Sequence, residues 1–383
     1  MCEKRDSFAA IKFISTGCFS CQGQYNDMKN ILLLTFSILF LSACNQDKTP
    51  KVIPLTQVTG ETMGTYYKVT YRDTLQRNFK AQIDSLLVQV NAEVSTYEPE
   101  STISIFNKTA DSLDLENNVF SGSLEAANHN KHFITNFLAA KQVYEESKGN
   151  FDPTVMPLVN YWGFGYTPKK AVEQADTVKI DSIMQYVGFD KVDFRRDEES
   201  VVKKSLSGVK LDFSACAKGY GVDAVRRFLR DKGMVDFYVE IGGESAGNGN
   251  GSSGDGWTVA VAIPKEGVVA TDVAQIIRLK DKAIATSGNY INFYEVNGKK
   301  YAHTISPQTG FPKASNLLSA SIFTDECMMS DAYATACMVM GLEEAKAFIE
   351  GLQGVEGLFI FSNDKGELET VFTEGVKDMI VEM

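Results

Sequence analysis

The sequence predicts an α+β fold, with mixed sheets and packed helices in one domain. Three observations carry this. Strand patterns come in consecutive runs, long helical periods fall between those runs, and the two do not alternate strictly as a doubly wound sheet requires. "YYKVTYRD", residues 66–73, alternates like a strand. "FKAQIDSLLVQVNAEVSTY", residues 79–97, has helical apolar spacing, and "FITNFLAAKQVYEESKGN", residues 133–150, is a second helix stopped by Gly149. "KGYGVDAVRRFLRDKG", residues 218–233, is a third, with a basic last turn. Then come "VDFYVEIGG", "WTVAVAIP" and "QIIRLKDKAIATSG", all strand-like, and "YEVNGKKYAHTI", a hairpin about Asn297-Gly298. From about residue 57 no proline-rich or low-complexity linker interrupts the chain, so one continuous domain is expected over 57–383.

Of 383 residues, 44% are hydrophobic and 23% charged, ordinary values for a globular protein with ample core. The formal net charge of -11, without a basic run interleaved with aromatics, argues against a nucleic-acid partner. Any phosphate ligand must be held locally.

The N-terminus carries a targeting pattern. "MKNILLLTFSILFLSAC", residues 28–44, has Lys29, a short apolar run, then small residues before Cys44. The run is short for a bilayer span, and "LSAC" resembles the lipobox of bacterial lipoproteins, in which Cys44 is lipidated and becomes the mature N-terminus. Residues 28–44 are therefore expected to be a lipoprotein signal peptide and 45–56 a tether, with 1–27 an upstream extension before the natural start at Met28. The expected location is lipid-anchored to a bacterial membrane, on the extracytoplasmic, periplasmic side. Cys18 and Cys21 form a C-x-x-C with no second pair around it. Cys216, Cys327 and Cys337 lie in apolar or small-residue settings and read as buried free thiols.

Two common nucleotide cradles, G-x-x-x-x-G-K-[ST] and strand-linked G-x-G-x-x-G, are absent. "GNGNGSSGDGW", residues 247–257, reads as a hairpin loop rather than a phosphate nest. Ser287 and His303 could belong to a hydrolase, but no G-x-S-x-G elbow accompanies them. His129 and His132, in "NHNKH", read as solvated, whereas His303 ends a strand before the "SPQTG" turn and would stand at a sheet rim. Asp152 before Pro153 reads as a turn former, and Asp212 or Ser214 as a cap for the helix near Ala217. "CMMSDAYATACMVMG", residues 327–341, is an apolar helix that nevertheless carries Asp331. A carboxylate there needs a partner, and Thr335, four residues on, shares its face; the pair could hold a hard cation, or Asp331 could simply cap the helix start.

In order and spacing, "ETMGTYY", "STYEPESTISIFN", "FDPTVMPLVNYWGFG", "LDFSACAKGYGVDAV", "VEIGGE", "ATSGNY", "AHTISPQTG" and "SDAYATACMVMG" together resemble the ApbE-like family of FAD:protein FMN transferases, from about residue 57 to the C-terminus. The resemblance implies a single T-fold-like domain, FAD as substrate, and Mg2+ held by Asp331, Thr335 and the backbone carbonyl of Ala215, an oxygen set suited to that ion. For FAD it points to Met63, Tyr97, Phe151, Asp152, Asp212, Lys218 and, more weakly, Ile305. The implied reaction moves FMN from FAD to a threonine or serine hydroxyl of an acceptor protein, releasing AMP, with His303 and Asp331 as the catalytic residues and His303 taking the hydroxyl proton or positioning the acceptor. The implied partners are flavoproteins of membrane redox complexes or exported flavoproteins. Two departures stand out: Ser214-Ala215 where the family commonly has two glycines, and Ser306 in place of an acid. The competing readings are an FAD pyrophosphatase releasing FMN and AMP, and a non-catalytic FAD-binding lipoprotein.

Overall fold

Tyr67, Val69 and Tyr71 alternate with Tyr66, Lys68 and Thr70, and the first three are fully buried, which fixes one face of their strand against the core. The computed structural model describes residues 53–382 except 117–129, 165–171, 173, 197–199, 253, 265–271, 290–292, 297–298, 303 and 314. The expected leader and tether thus lie almost wholly outside the described residues, as do Cys18, Cys21, Cys44, His129 and His303.

In chain order the elements are β1 (Leu55–Thr62), β2 (Thr65–Arg72), α1 (Lys80–Val94), α2 (Thr102–Lys108), β3 (Ser112–Asp114), α3 (Lys131–Glu146), α4 (Met156–Tyr161) and α5 (Thr177–Met184). They continue with β4 (Val192–Arg196), β5 (Ser200–Lys204), α6 (Ala217–Asp231), β6 (Phe237–Ile241), β7 (Glu244–Asn248), β8 (Trp257–Ala262), β9 (Val273–Leu279) and β10 (Lys282–Gly288). The last are β11 (Phe293–Val296), β12 (Lys299–Ala302), β13 (Leu317–Thr324), α7 (Cys327–Met340), α8 (Leu342–Glu350), β14 (Glu356–Ser362) and β15 (Leu368–Phe372).

Eight strands form one antiparallel sheet in the order β1-β2-β6-β7-β10-β13-β14-β15. α6 packs against β6 and β7, α7 against β10 and β13, and α1 bridges α3 and α6. The other face of the sheet is covered around β10, β13 and β14 by the β8–β9 hairpin, where Val261, Ile277 and Leu279 meet Ile284, Phe323, Leu358 and Ile360. Neighbours such as Ile322 and Phe359 point instead into the helical layer. Central strands buried on both faces explain why "LLSASIFT" and "EGLFIFS" lack clean alternation. The α+β fold is therefore as the sequence predicts.

Two local readings need adjustment. "QIIRLKDKAIATSG" is two strands, broken at Asp281, whose φ is 56°. The glycine-rich 247–257 segment is not a hairpin loop, because β7 pairs with β6 and β10 while β8 pairs with β9; it crosses between sheets. β11 and β12 pair antiparallel from Phe293↔Ala302 to Val296↔Lys299, the register expected of the hairpin, whose central residues 297–298 lie outside the described residues. α3 ends as expected: Gly149, at φ 78°, donates its N–H to the Tyr144 carbonyl at 2.8 Å.

Candidate functional site

A cavity of about 730 Å3 opens where the N-terminus of α6, the middle of α7, the end of β10 and the 150–155 turn converge. Tyr97, Phe151, Asp152, Asp212, Ala215, Lys218, Ile305, Asp331 and Thr335 all line it. Met63 does not. It sits in the β1–β2 turn at φ 51°, unusual for a methionine, with its methyl beside Gly221, one turn along α6 from Lys218. His303 lies outside the described residues, but its neighbours Thr304 and Ile305 reach the lining.

α7 is buried at nearly every position, and Asp331, Thr335, Met338 and Val339 form the stripe of it that faces the cavity. Asp331 does not cap the helix. The N-cap is Glu326, without a side-chain bond, and the free N–H groups of Cys327 and Met328 donate instead to Asp223 of α6, at 3.0 and 2.9 Å. Asp223 is itself paired with Arg226 at 3.0 Å, both side chains 4% exposed, and Arg226 also donates to the Asp325 carbonyl at 2.7 Å. This ties the start of α7 to α6. Gly219 completes the junction: a Cβ there would lie 2.3 Å from the Cys327 carbonyl oxygen, so only glycine allows the approach. Its N–H, in the first turn of α6, donates to Asp331 at 3.1 Å. Burial raises the Asp331 pKa, while the Lys218 charge and this bond act in the opposite direction. Thr335 has the Ser287 hydroxyl 3.4 Å away, which places Ser287 beside the expected metal ligand rather than in a hydrolase triad.

Asp212 does not cap α6 either. The N-cap is Cys216, and Asp212 closes its own turn, accepting from the Ser214 N–H at 2.9 Å and hydroxyl at 2.5 Å. Asp152 does the same with Thr154, at 2.7 and 2.5 Å, so its turn-forming reading holds while it also lines the cavity. Burial pushes its pKa up to about 6.

Sequence reasoning missed Glu244. It follows the Gly242-Gly243 turn, opens β7, lines the cavity and forms a short ion pair with Lys218, its side chain 5% exposed. Among the described residues, its second oxygen, Oε2, is buried without a hydrogen-bond partner. Burial, then the nearby Asp331 charge, pushes its pKa up to about 7 despite Lys218. The signal was a carboxylate in a strand, "ESAGN", that is otherwise apolar, small or amide-bearing. His132 was also misread. It is 2% exposed, shares a 2.7 Å hydrogen bond with Tyr220 of α6, and burial lowers its pKa to about 4. Cys216, Cys327 and Cys337 are buried free thiols.

The ApbE family profile matches residues 63–359. The chain belongs to the ApbE family. An FAD:protein FMN transferase of Vibrio cholerae serotype O1 is 33% identical over 345 residues, 88% of this chain and 96% of that protein. One of Haemophilus influenzae is 33% identical over 314 residues, 80% and 85% of the two chains. Among solved ApbE structures, the flavin transferase of Vibrio cholerae superposes with a TM-score of 0.72 at 31% identity, covering 85% of this chain and 99% of its own. The apo flavinyl transferase ApbE of Pseudomonas stutzeri does so at 0.72 and 26%, covering 85% and 96%.

Proposed function

We propose that this ApbE-family protein moves FMN from FAD to a threonine or serine hydroxyl of an acceptor protein and releases AMP. Family membership makes the chain an enzyme, a transferase. The observation that carries the fuller reading is the cavity itself: a buried helix presents Asp331 and Thr335 on one stripe, facing the same space as the N-terminal turn of α6 with Lys218.

The residues fit a magnesium ion by their chemistry. Among the described residues no cluster of three His, Cys, Asp or Glu side chains could hold a metal, yet Asp331, Thr335 and Ala215 line one cavity, where a carboxylate, a hydroxyl and, by the family resemblance, the Ala215 carbonyl would supply three hard oxygens. Two buried carboxylates, Asp331 and Glu244, also face a single lysine there, which leaves room for added positive charge. These three groups would hold the ion, which when bound offsets pyrophosphate charge.

Lys218 supplies a cation for the phosphates, and Tyr97, with 73% of its surface exposed at the cavity, offers an aromatic face to a ring. Asp152 and Asp212 face the cavity as acceptors for ring N–H or ribose hydroxyl groups. The acceptor hydroxyl oxygen bonds to the riboflavin-side phosphorus, the bond from that phosphorus to the AMP oxygen breaks, and the electron pair leaves with AMP. We assign the hydroxyl proton to His303, from its place beside Thr304. By the sequence pattern, the protein is anchored through lipidated Cys44 on the extracytoplasmic side of a bacterial membrane, where flavoproteins of membrane redox complexes or exported flavoproteins would be its acceptors.

Incubation with FAD, Mg2+ and a threonine-bearing acceptor domain tests this by intact mass and AMP release. An FMN mass increment that appears with AMP and disappears with EDTA is the expected result. Free FMN and AMP with unmodified acceptors would replace transfer by pyrophosphatase activity. Tight FAD binding without turnover would leave a carrier.

A further inference from the structure

Glu244 is a carboxylate that the reaction above does not use. It lies 26 residues from Lys218 in sequence, at the start of a fully buried strand, and the β6–β7 register, Ile241↔Glu244 across Gly242-Gly243, delivers it to the cavity. A buried carboxylate without adequate donors is costly, and Oε2 meets none among the described residues. The Lys218 ammonium offsets it through Oε1, with a smaller contribution from the residue's own backbone N–H. Lys218 is on a four-carbon stem in the first turn of α6 and its side chain is 31% exposed, so without an anchor its ammonium could sweep the cavity mouth.

We propose that Glu244 is a positioning residue for the transfer: it holds the Lys218 ammonium at one place in the cavity, so that the lysine meets the reacting phosphate as an oriented donor rather than as a mobile charge. An ammonium has three N–H donors, and one spent on Glu244 leaves two for phosphate oxygens. Orientation of this kind acts on turnover more than on ground-state affinity, because a loosely held lysine still attracts the pyrophosphate but meets the transition state in fewer encounters. This inference rests on the transferase reading, in which Lys218 receives phosphate.

Glu244→Gln keeps the shape and removes the charge. In the lipoprotein or its soluble form, it should lower kcat on the order of tenfold or more while the FAD dissociation constant, read by flavin fluorescence, changes by less than about threefold. The decisive comparison is in a Lys218→Met background. There Glu244→Gln should add almost nothing to the loss, because the group it orients is gone. Unchanged kcat in Glu244→Gln, or an equal further loss on top of Lys218→Met, would overturn the proposal. If Glu244→Gln does not fold, Glu244→Asp, which keeps the charge but shortens the reach by one methylene, should show the same kcat loss at unchanged affinity; full activity there also overturns it. Failure of the transferase reading shows separately, as a wild-type protein that binds FAD but modifies no acceptor.

Discussion

Asp331 accepts a hydrogen bond from Gly219 and otherwise depends on Lys218 and on whatever enters the cavity, so its ionised form costs stability in the empty protein. Asp331→Asn should therefore leave the thermal midpoint of the metal-free protein unchanged or raised, while lowering flavin transfer on the order of a hundredfold or more, measured by acceptor mass. A folded, FAD-binding variant that keeps full turnover would remove Asp331 from the reaction. His132 gives the opposite kind of test. Its pKa falls from an ordinary 6.5 to about 4 in the fold. The unfolded chain thus binds more protons between those values, and the stability His132 contributes is present above 6.5 and lost as pH falls toward 4. Denaturant titrations of the wild type and His132→Gln should converge by on the order of 3 kcal/mol over that window. Legibility divides along the same line. Asp331 and Thr335 were readable because four residues on a helix set a face, whatever surrounds it. Glu244 and His132 take their character from Lys218 and Tyr220, 26 and 88 residues away, and no local pattern encodes such partners.

The α6–α7 junction brings Lys218 and Asp331 to the same cavity. Gly219 lets the helices touch, Asp223 satisfies the first amides of α7, and Arg226 neutralises Asp223 in the same buried layer. Gly219→Ala would drive a methyl into the Cys327 carbonyl, and the helices would have to part, at a cost of about 1–3 kcal/mol in denaturant stability. Transfer activity should fall with it, because Asp331 rides on α7; an active, undisturbed Gly219→Ala protein would show that the junction does not set the site. Periodicity and a marked stop or charged last turn located α1, α3 and α6, while α7 was legible from its nearly unbroken apolar composition. It could not assign the glycine-rich segment, because pairing partners decide whether such a loop closes a hairpin, and β8 finds its partner later in the chain.

Across the molecule, the cavity draws on segments from Thr96 to Val339, and no single element holds a majority of it. A ligand there fastens the helical layer to β7, β10 and the 150–155 turn together. FAD with Mg2+ at a hundred times its dissociation constant should therefore stabilise the whole unit Ile53–Met383 by about 2.7 kcal/mol in one cooperative transition, and EDTA should reverse much of the gain. A gain confined to one part of the transition would show that the unit does not unfold as one. This scattering has a consequence for shortened chains. A chain cut before α7 keeps Lys218 but loses Asp331 and Thr335, and it leaves the first turn of α6 and the Gly219 face uncovered. The site comes into being only in a chain that reaches past Val339.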